Sequence, residues 1–268
     1  MPLKAIEIGG RSLERWRTGL LDPRTYKSAA NMLRISADRR DFARRYYLGA
    51  GSYPAVVGVR TPIGLIELTV YSFDDVQTVN EIFMREDYLA RRDARVVVDL
   101  GSNIGISAAY FLSRDPRVRC FLYEPVPRNI ERLRANLAGF EDRYELHSVA
   151  VADGNGEVTF GIEPTGRYGG IGIQTGEDIR VRCEHINDVL DDVLARADEI
   201  DVLKIDTEGA EAATVYAIRP DHLDRIRVIY LETHAPVPAH PERFDHSYYN
   251  ATSRLTRRAD RARMGSDR

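Results

Sequence analysis

Residues 95–125 read R-V-V-V-D-L-G-S-N-I-G-I-S-A-A-Y-F-L-S-R-D-P-R-V-R-C-F-L-Y-E-P, and this stretch decides the fold of the 268-residue chain. The three valines at 96–98 are typical of a short parallel strand buried on both faces. Residues 99–105 then give D-x-G-x-N-x-G ahead of helical spacing, so the glycines lie in a strand-to-helix turn where the backbone can approach a ligand. A second apolar run ends in Glu124. The stretch therefore predicts two neighbouring strands with a small-molecule site at their carboxyl ends.

The composition of this turn favours S-adenosylmethionine over a dinucleotide. The candidate cofactor-binding residues in it are Asp99, Gly101, Ser102, Asn103 and Gly105. A dinucleotide motif would read G-x-G-x-x-G and hold a pyrophosphate on the helix N-terminus, whereas here an acid precedes G-S-N-I-G. A carboxylate is poorly suited to phosphate but attracts the sulfonium and amino group of S-adenosylmethionine, and Glu124 suits a ribose diol. The alternative is that Asp99 only caps the turn and that the glycines only allow close packing.

Composition narrows the class of protein. The 38 Lys and Arg residues against 41 Asp and Glu residues give a net charge of -3, so we expect no nucleic-acid partner. Cys120 and Cys183 have neither metal-ligand spacing nor a disulfide framework around them, which favours a reduced, cytoplasmic setting without a bound metal. No apolar stretch reaches the roughly 20 residues of a membrane span, and the N-terminus lacks a signal-peptide core.

Strands and helices alternate along the middle of the chain. Residues 1–90 are predicted to form an N-terminal extension with helices and a β-hairpin, the hairpin lying at 53–71 around T-P-I-G. Residues 91–234 are predicted to form the core, in which further strands at 144–151, 201–206 and 227–232 follow the first two. The expected fold class is α/β, with a Rossmann-like sheet that has helices on both faces.

Three polar residues follow the last two predicted core strands. The run D-V-L-K-I-D ends in Asp206, T-E-G-A-E brings Glu208 to the start of the next helix, and His234 stands just past the fifth strand. Ligands bind at the carboxyl ends of strands in open α/β sheets, so we expect these residues to converge beside the glycine turn. Glu208 is equally well explained as a negative charge at a helix N-terminus.

With these motifs the chain resembles the FkbM-type family of class I S-adenosylmethionine-dependent methyltransferases, from about residue 53 to residue 234. The motifs that carry the resemblance are V-V-D-L-G-S-N-I-G, F-L-Y-E-P with P-R-N-I-E-R-L-R-A-N, and D-V-L-K-I-D-T-E-G-A-E. The resemblance implies that Asp99, Gly101 and Asn103 line the methionine end of the cofactor. It also implies that Glu124 holds the ribose hydroxyls and that the turn at Asp153 lies near the adenine.

The resemblance implies methylation of a hydroxyl on a saccharide or a secondary metabolite. Methyl transfer to an alcohol needs a positioned nucleophile and a group that takes its proton. Histidine changes protonation near neutral pH, which favours His234 as the base and Asp206 as the residue that orients substrate or cofactor. A carboxylate base stays open as the alternative.

Residues 235–268 begin with prolines and end rich in arginine, which predicts a flexible tail. Class I methyltransferases close their sheet with two more strands, the last one antiparallel, and no alternating apolar run here is able to supply them. We therefore expect these strands to be missing or atypical. A shortened sheet would expose an edge and favour a homodimer, and it keeps open a catalytically weak or inactive cofactor-binding protein as the alternative function. A nucleotide-binding oxidoreductase is disfavoured because G-x-G-x-x-G is missing.

Overall fold

The structure, a computed structural model, describes residues 22–162, 169–171, 177–207 and 209–260, together with two short strands at 7–8 and 11–12. The chain divides into two compact units, Met1–Leu89 and Ala90–Arg268. Residues 95–125 belong to the second unit.

The first unit combines helices with a β-hairpin. Its elements are β1 (Glu7–Ile8), β2 (Arg11–Ser12), α1 (Pro23–Ile35), α2 (Arg39–Leu48), β3 (Ala55–Thr61), β4 (Gly64–Val70), α3 (Phe73–Val79) and a π-helix at Asn80–Met84. β3 and β4 pair antiparallel, which confirms the predicted hairpin. α3 begins at a capping box, because the side chains of Ser72 and Asp75 each accept a hydrogen bond from the other's backbone amide.

The second unit is an alternation of strands and helices. Its elements are β5 (Val96–Leu100), α4 (Ile106–Leu112), β6 (Arg119–Tyr123), α5 (Pro127–Asn136), β7 (Tyr144–His147), β8 (Ala150–Ala152), β9 (Gly156–Ile162), β10 (Gly169–Ile171), β11 (Glu177–His185), α6 (Ile186–Leu194), β12 (Ile200–Ile205), α7 (Glu211–Ala217), α8 (Pro220–Leu223), β13 (Ile226–Glu232), β14 (Phe244–Tyr249), β15 (Thr252–Arg257) and a 3-10 turn at Arg258–Asp260.

Seven of these strands form one sheet, in the order β14-β15-β13-β12-β5-β6-β7. The strands from β13 to β7 are parallel, and β15 runs antiparallel to both of its neighbours. β5 lies between β6 and β12, so the chain order reverses at β5, where open α/β sheets bind ligands. The mixed sheet with its helices confirms the predicted α/β fold class.

β5 is buried on both faces, as its valines predict. Val98 and Leu100 join an apolar cluster that includes Ile205 on β12 and Ile229 on β13. Asp99, between them in sequence, points to the opposite face because side chains alternate along a strand. A second sheet, in the order β10-β9-β11-β8, follows β7 in the chain and packs Phe160 and the small residues of β8 together.

The expectation that the last two strands are missing is wrong. β14 and β15 complete the sheet beside β13, so the middle of the segment predicted as a flexible tail forms two strands, while residues 261–268 lie outside the described residues. These strands bury few apolar side chains, chiefly Phe244 and Leu255, each at most 2% exposed. Strands near a sheet edge are stabilised by their backbone ladder and need little apolar alternation.

Two arginines of this segment also have partners in the folded chain. Arg254 lies over the ring of Tyr230, and Arg257 pairs with Glu199 and donates to the Asp224 carbonyl at 2.6 Å. Because the sheet is complete, the argument for a homodimer from a shortened sheet no longer applies.

Candidate active site

The turn after β5 runs through left-handed backbone at three positions. The φ angles are +76° at Gly101, +48° at Asn103 and +85° at Gly105. The amides of Gly101 and Ser102 both donate to the carbonyl of Tyr123, at 2.9 and 3.1 Å. The turn is therefore fastened to the end of β6, beside Glu124.

Gly101 also lies against the turn that follows β12. A Cβ atom at Gly101 would be 1.8 Å from the carbonyl oxygen of Asp206, so a larger residue has no room there. The Asp206 amide in turn donates to the Leu100 carbonyl at 3.1 Å. These contacts hold the carboxyl ends of β5 and β12 together, and Gly101 is the residue that permits it.

Glu124 is buried at the tip of β6, where three donors hold its carboxylate. The Asn103 amide donates to Oε2 at 2.8 Å, and the Val126 amide and the Asn129 side chain donate to Oε1 at 2.9 and 3.3 Å. A carboxylate has about four acceptor positions, so Oε2 keeps one for a further donor such as a ribose hydroxyl. Burial raises the pKa of the Glu124 carboxyl to about 7, although the amides of Val126 and Asn103 lower it.

Asp99 lies wholly beneath the turn, at 0% exposure. The Ser107 hydroxyl donates to Oδ2 at 2.6 Å, and the Ser102 hydroxyl donates to the Asp99 carbonyl at 2.8 Å. Oδ1 is 3.0 Å from the ammonium of Lys204 but has no partner with hydrogen-bond geometry among the described residues. Its contact with Lys204 is therefore mainly ionic.

Lys204 is a buried cation at the centre of this site, only 3% exposed. It is directly opposite Asp99 in the β5–β12 register, and its Nζ lies 3.1 Å from Asp206 Oδ2 and 3.0 Å from the carbonyl oxygen of Gly101. Burial alone would lower the pKa of Lys204, but the carboxylates of Asp206, Asp99 and Glu232 outweigh burial and raise it. Lys204 is thus a fixed positive charge and cannot serve as a base.

Glu211, at the start of α7, accepts hydrogen bonds from the segment that follows Asp206. Its Oε1 accepts from the amides of Thr207 and Gly209 at 2.9 and 3.0 Å. Asp206 itself keeps a quarter of its side chain exposed. Glu208, one of the predicted catalytic residues, lies outside the described residues.

His234 and Asp153 are both exposed. The register of β12 and β13 pairs Ile205 with Leu231, so Asp206 and His234 stand at the same edge of the sheet, but no hydrogen bond or ion pair joins them in the described part of the chain. The residue before His234 is anchored by the β14–β15 hairpin, since the Thr233 amide donates to the Ala251 carbonyl at 2.7 Å.

The turn that contains Asp153 is held by another residue. Asn155 donates to Asp188 at 2.7 Å and accepts from the His185 amide at 2.7 Å. No hydrogen bond of the Asp153 side chain is present among the described residues. The turn geometry therefore depends on Asn155, and the Asp153 carboxylate lies open to solvent.

The Methyltransferase FkbM domain model matches residues 99–249, which is more than half of the chain. The chain belongs to the FkbM methyltransferase family. The match begins at Asp99 and ends at the last residue of β14. It therefore spans the whole of the site and reaches into the segment that the sequence had suggested was a tail.

Two curated proteins and a solved structure are similar to this family member. It is 32% identical to the 2-O-methyltransferase NoeI of Sinorhizobium fredii over 155 residues, covering 51% of this chain and 62% of NoeI. It is 29% identical to the AMB antimetabolite synthetase AmbE of Pseudomonas aeruginosa over 203 residues, covering 62% of this chain and 10% of AmbE. The chain thus spans less than two thirds of each of these relatives.

The crystal structure of the FkbM methyltransferase from Methylobacillus flagellatus KT is similar with a TM-score of 0.45 and 14% identity, over 88% of this chain and 62% of that one. Within the described residues, no group of three His, Cys, Asp or Glu side chains is arranged to hold a metal ion. No helix in the same ranges is both long and apolar enough to cross a membrane.

Sequence reasoning missed two members of this candidate site, Lys204 and Glu211. Lys204 interrupts the apolar run D-V-L-K-I-D, and a lysine inside a strand that is buried on both faces requires carboxylate partners. That interruption was the available signal. The sequence signal for Glu211 was weaker, since a glutamate in the first turn of a helix is usually explained by the helix dipole.

Proposed function

We propose that this methyltransferase transfers the methyl group of S-adenosylmethionine to a hydroxyl oxygen of a saccharide or a secondary metabolite. The observation that carries the proposal is the fastening of the glycine turn to both Glu124 and Asp206. We call this arrangement the cradle. Its ribose end is Glu124, which can accept a hydrogen bond, and its charged end is formed by Asp99, Asp206 and Lys204, which together carry a net negative charge.

The residues of the cradle fit this cofactor. Gly101 keeps the backbone free of a Cβ where the two turns meet. Glu124 keeps one acceptor position on Oε2, which is where a ribose hydroxyl would donate. Asp99 and Asp206 outnumber Lys204 in charge, which favours a cation and disfavours the phosphates of a dinucleotide.

Transfer to oxygen is supported by the similarity to NoeI, a 2-O-methyltransferase. A secondary-metabolite acceptor is supported by AmbE, an antimetabolite synthetase. The alternative of a weak or inactive cofactor-binding protein was based on a shortened sheet. That basis no longer applies, because β14 and β15 complete the sheet.

S-adenosylmethionine, when bound, supplies an electrophilic methyl group on a sulfonium. The protein's part is then to hold the acceptor in line and to take the hydroxyl proton as the new bond forms. His234 is the proposed base, because it is exposed at the edge of the sheet with an unengaged side chain in the described part of the chain. Asp206, tied to Lys204, is proposed to orient substrate or cofactor, and Glu124 to hold the ribose.

The test is calorimetric titration of the purified protein with S-adenosylhomocysteine and, separately, with NAD. Micromolar binding of S-adenosylhomocysteine with no binding of NAD is expected. Tighter binding of NAD would contradict the proposal. A protein that binds is then assayed with a radiolabelled methyl donor against alcohols from sugars and secondary metabolites, where label is expected to enter an ether.

A further inference from the structure

The ammonium of Lys204 lies between the two carboxylates of the cradle. Nζ is 3.0 Å from Asp99 Oδ1 and 3.1 Å from Asp206 Oδ2. It also donates to the carbonyl of Gly101 at 3.0 Å. These groups come from β5, from the turn after it and from the residue that follows β12, so one buried side chain joins three segments of the chain.

Two further carboxylates act on this ammonium from a greater distance. Glu232, at the end of β13, favours its protonated form. Glu124, at the tip of β6, is itself affected by the charge of Lys204. The carboxylates within 3.1 Å of the ammonium are those of Asp99 and Asp206, so the immediate neutralisation is that of two carboxylates by one ammonium.

We propose that Lys204 is a positioning residue that leaves the charged end of the cradle with one net negative charge, and that this charge makes the site prefer the methyl donor over its demethylated product. The inference rests on the proposed function. S-adenosylmethionine carries one more positive charge than S-adenosylhomocysteine, because the sulfonium becomes a neutral thioether when the methyl group leaves. A site with a single unneutralised carboxylate is therefore matched to the donor and releases the product more readily.

Without Lys204 the two carboxylates would share one buried region. Two unneutralised carboxylates in close proximity do not ionise together, so one of them would keep its proton at the acidic end of the range and lose it as pH rises. The charge of the site, and with it the preference for the donor, would then change with pH. A lysine that only braced the turn would, in contrast, affect donor and product alike.

The test measures dissociation constants for S-adenosylmethionine and S-adenosylhomocysteine by calorimetry between about pH 5.5 and 7.5, since this range spans the usual carboxyl and histidine titrations. The quantity compared is the ratio of the two constants in each variant relative to wild type at the same pH. This comparison cancels the titration of the ligands. It also cancels that of Glu124, which faces the ribose shared by both.

Lys204→Met is expected to bind with a preference for the donor that rises with pH, to on the order of tenfold above wild type. Lys204→Arg, the matched control, keeps the charge and is expected to keep the wild-type ratio throughout. Asp206→Asn removes one negative charge instead, and its preference for the donor is expected to fall by on the order of tenfold.

A folded Lys204→Met with the wild-type ratio at every pH would overturn the inference. If Lys204→Met fails to fold, Asp206→Asn decides, because an unchanged ratio in that variant overturns the inference equally. These outcomes leave the proposed function standing, since wild type still binds both ligands. Failure of wild type to bind either ligand would overturn the proposed function and the inference together.

Discussion

Gly101 and the carbonyl oxygen of Asp206 are packed so closely that a Cβ atom would meet this oxygen at 1.8 Å. The contact joins β5 and β12, which are neighbours in the sheet but about a hundred residues apart in the chain. It explains why the turn after β5 needs glycine at this position for reasons beyond its positive φ. The cradle is thus formed by two turns whose backbones touch, with Lys204 beneath them.

Glu124 makes the stability of the protein depend on pH. Its folded pKa of about 7 is above the ordinary 4.5, so between these values the folded protein keeps a proton that the unfolded chain has lost. The contribution is fully present below pH 4.5 and is lost as pH rises to about 7. We expect Glu124→Gln to abolish this loss, which amounts to on the order of 3 kcal/mol.

Urea unfolding at the acidic and alkaline ends of this window measures the effect, with the exposed Glu131→Gln as the matched control. Glu131→Gln is expected to follow wild type. If Glu124→Gln showed the same loss of stability with pH as wild type, the raised pKa would be the wrong explanation.

Ser107 stabilises the buried carboxylate of Asp99 through a hydrogen bond of 2.6 Å. Ser107→Ala leaves a charged acceptor without its donor, so we expect a loss of about 2 kcal/mol in the free energy of unfolding. Ser113→Ala is the control, because Ser113 is equally buried but donates to the neutral carbonyl of Tyr110. Its expected cost is about 1 kcal/mol. Equal losses in the two variants would show that the charge of Asp99 does not matter.

The ordered C-terminal strands are tested at Leu255, which is 0% exposed on β15. Leu255→Ala is expected to cost about 2–5 kcal/mol because it leaves a cavity beside β13. The matched control is Leu65→Ala, since Leu65 also lies on a strand but is 59% exposed. That variant is expected to unfold like wild type. A flexible C-terminal segment would instead make Leu255→Ala as silent as the control.

The candidate base is tested by His234→Ala. We expect the rate of methyl transfer to fall by about 100-fold or more, while the dissociation constant for S-adenosylhomocysteine stays near that of wild type. Asp206→Asn, assayed in parallel, distinguishes the alternative of a carboxylate base. An unchanged rate in His234→Ala would exclude histidine from this role.

How much could be predicted depended on whether the signal was local. The valines before Asp99 and the glycines after it indicate a strand and a turn within a dozen residues. This part of the fold could therefore be predicted from the sequence. Lys204 was missed because its role depends on Asp99, about a hundred residues away in the chain. The last strands were missed because Ser253 and Leu255 are the buried residues of β15, too few to make an apolar alternation.

The most direct measurement is calorimetric titration of Gly101→Ala and Gly139→Ala with S-adenosylhomocysteine. Both glycines have positive φ, +76° and +89°, but an added Cβ meets the Asp206 carbonyl only at Gly101 and meets nothing within 4 Å at Gly139. Each change adds backbone strain of about 1 kcal/mol, so the pair isolates the contact between the two turns. We expect micromolar binding by wild type and Gly139→Ala, and none by a folded Gly101→Ala. Undiminished binding by Gly101→Ala would contradict the assignment of the cofactor cradle.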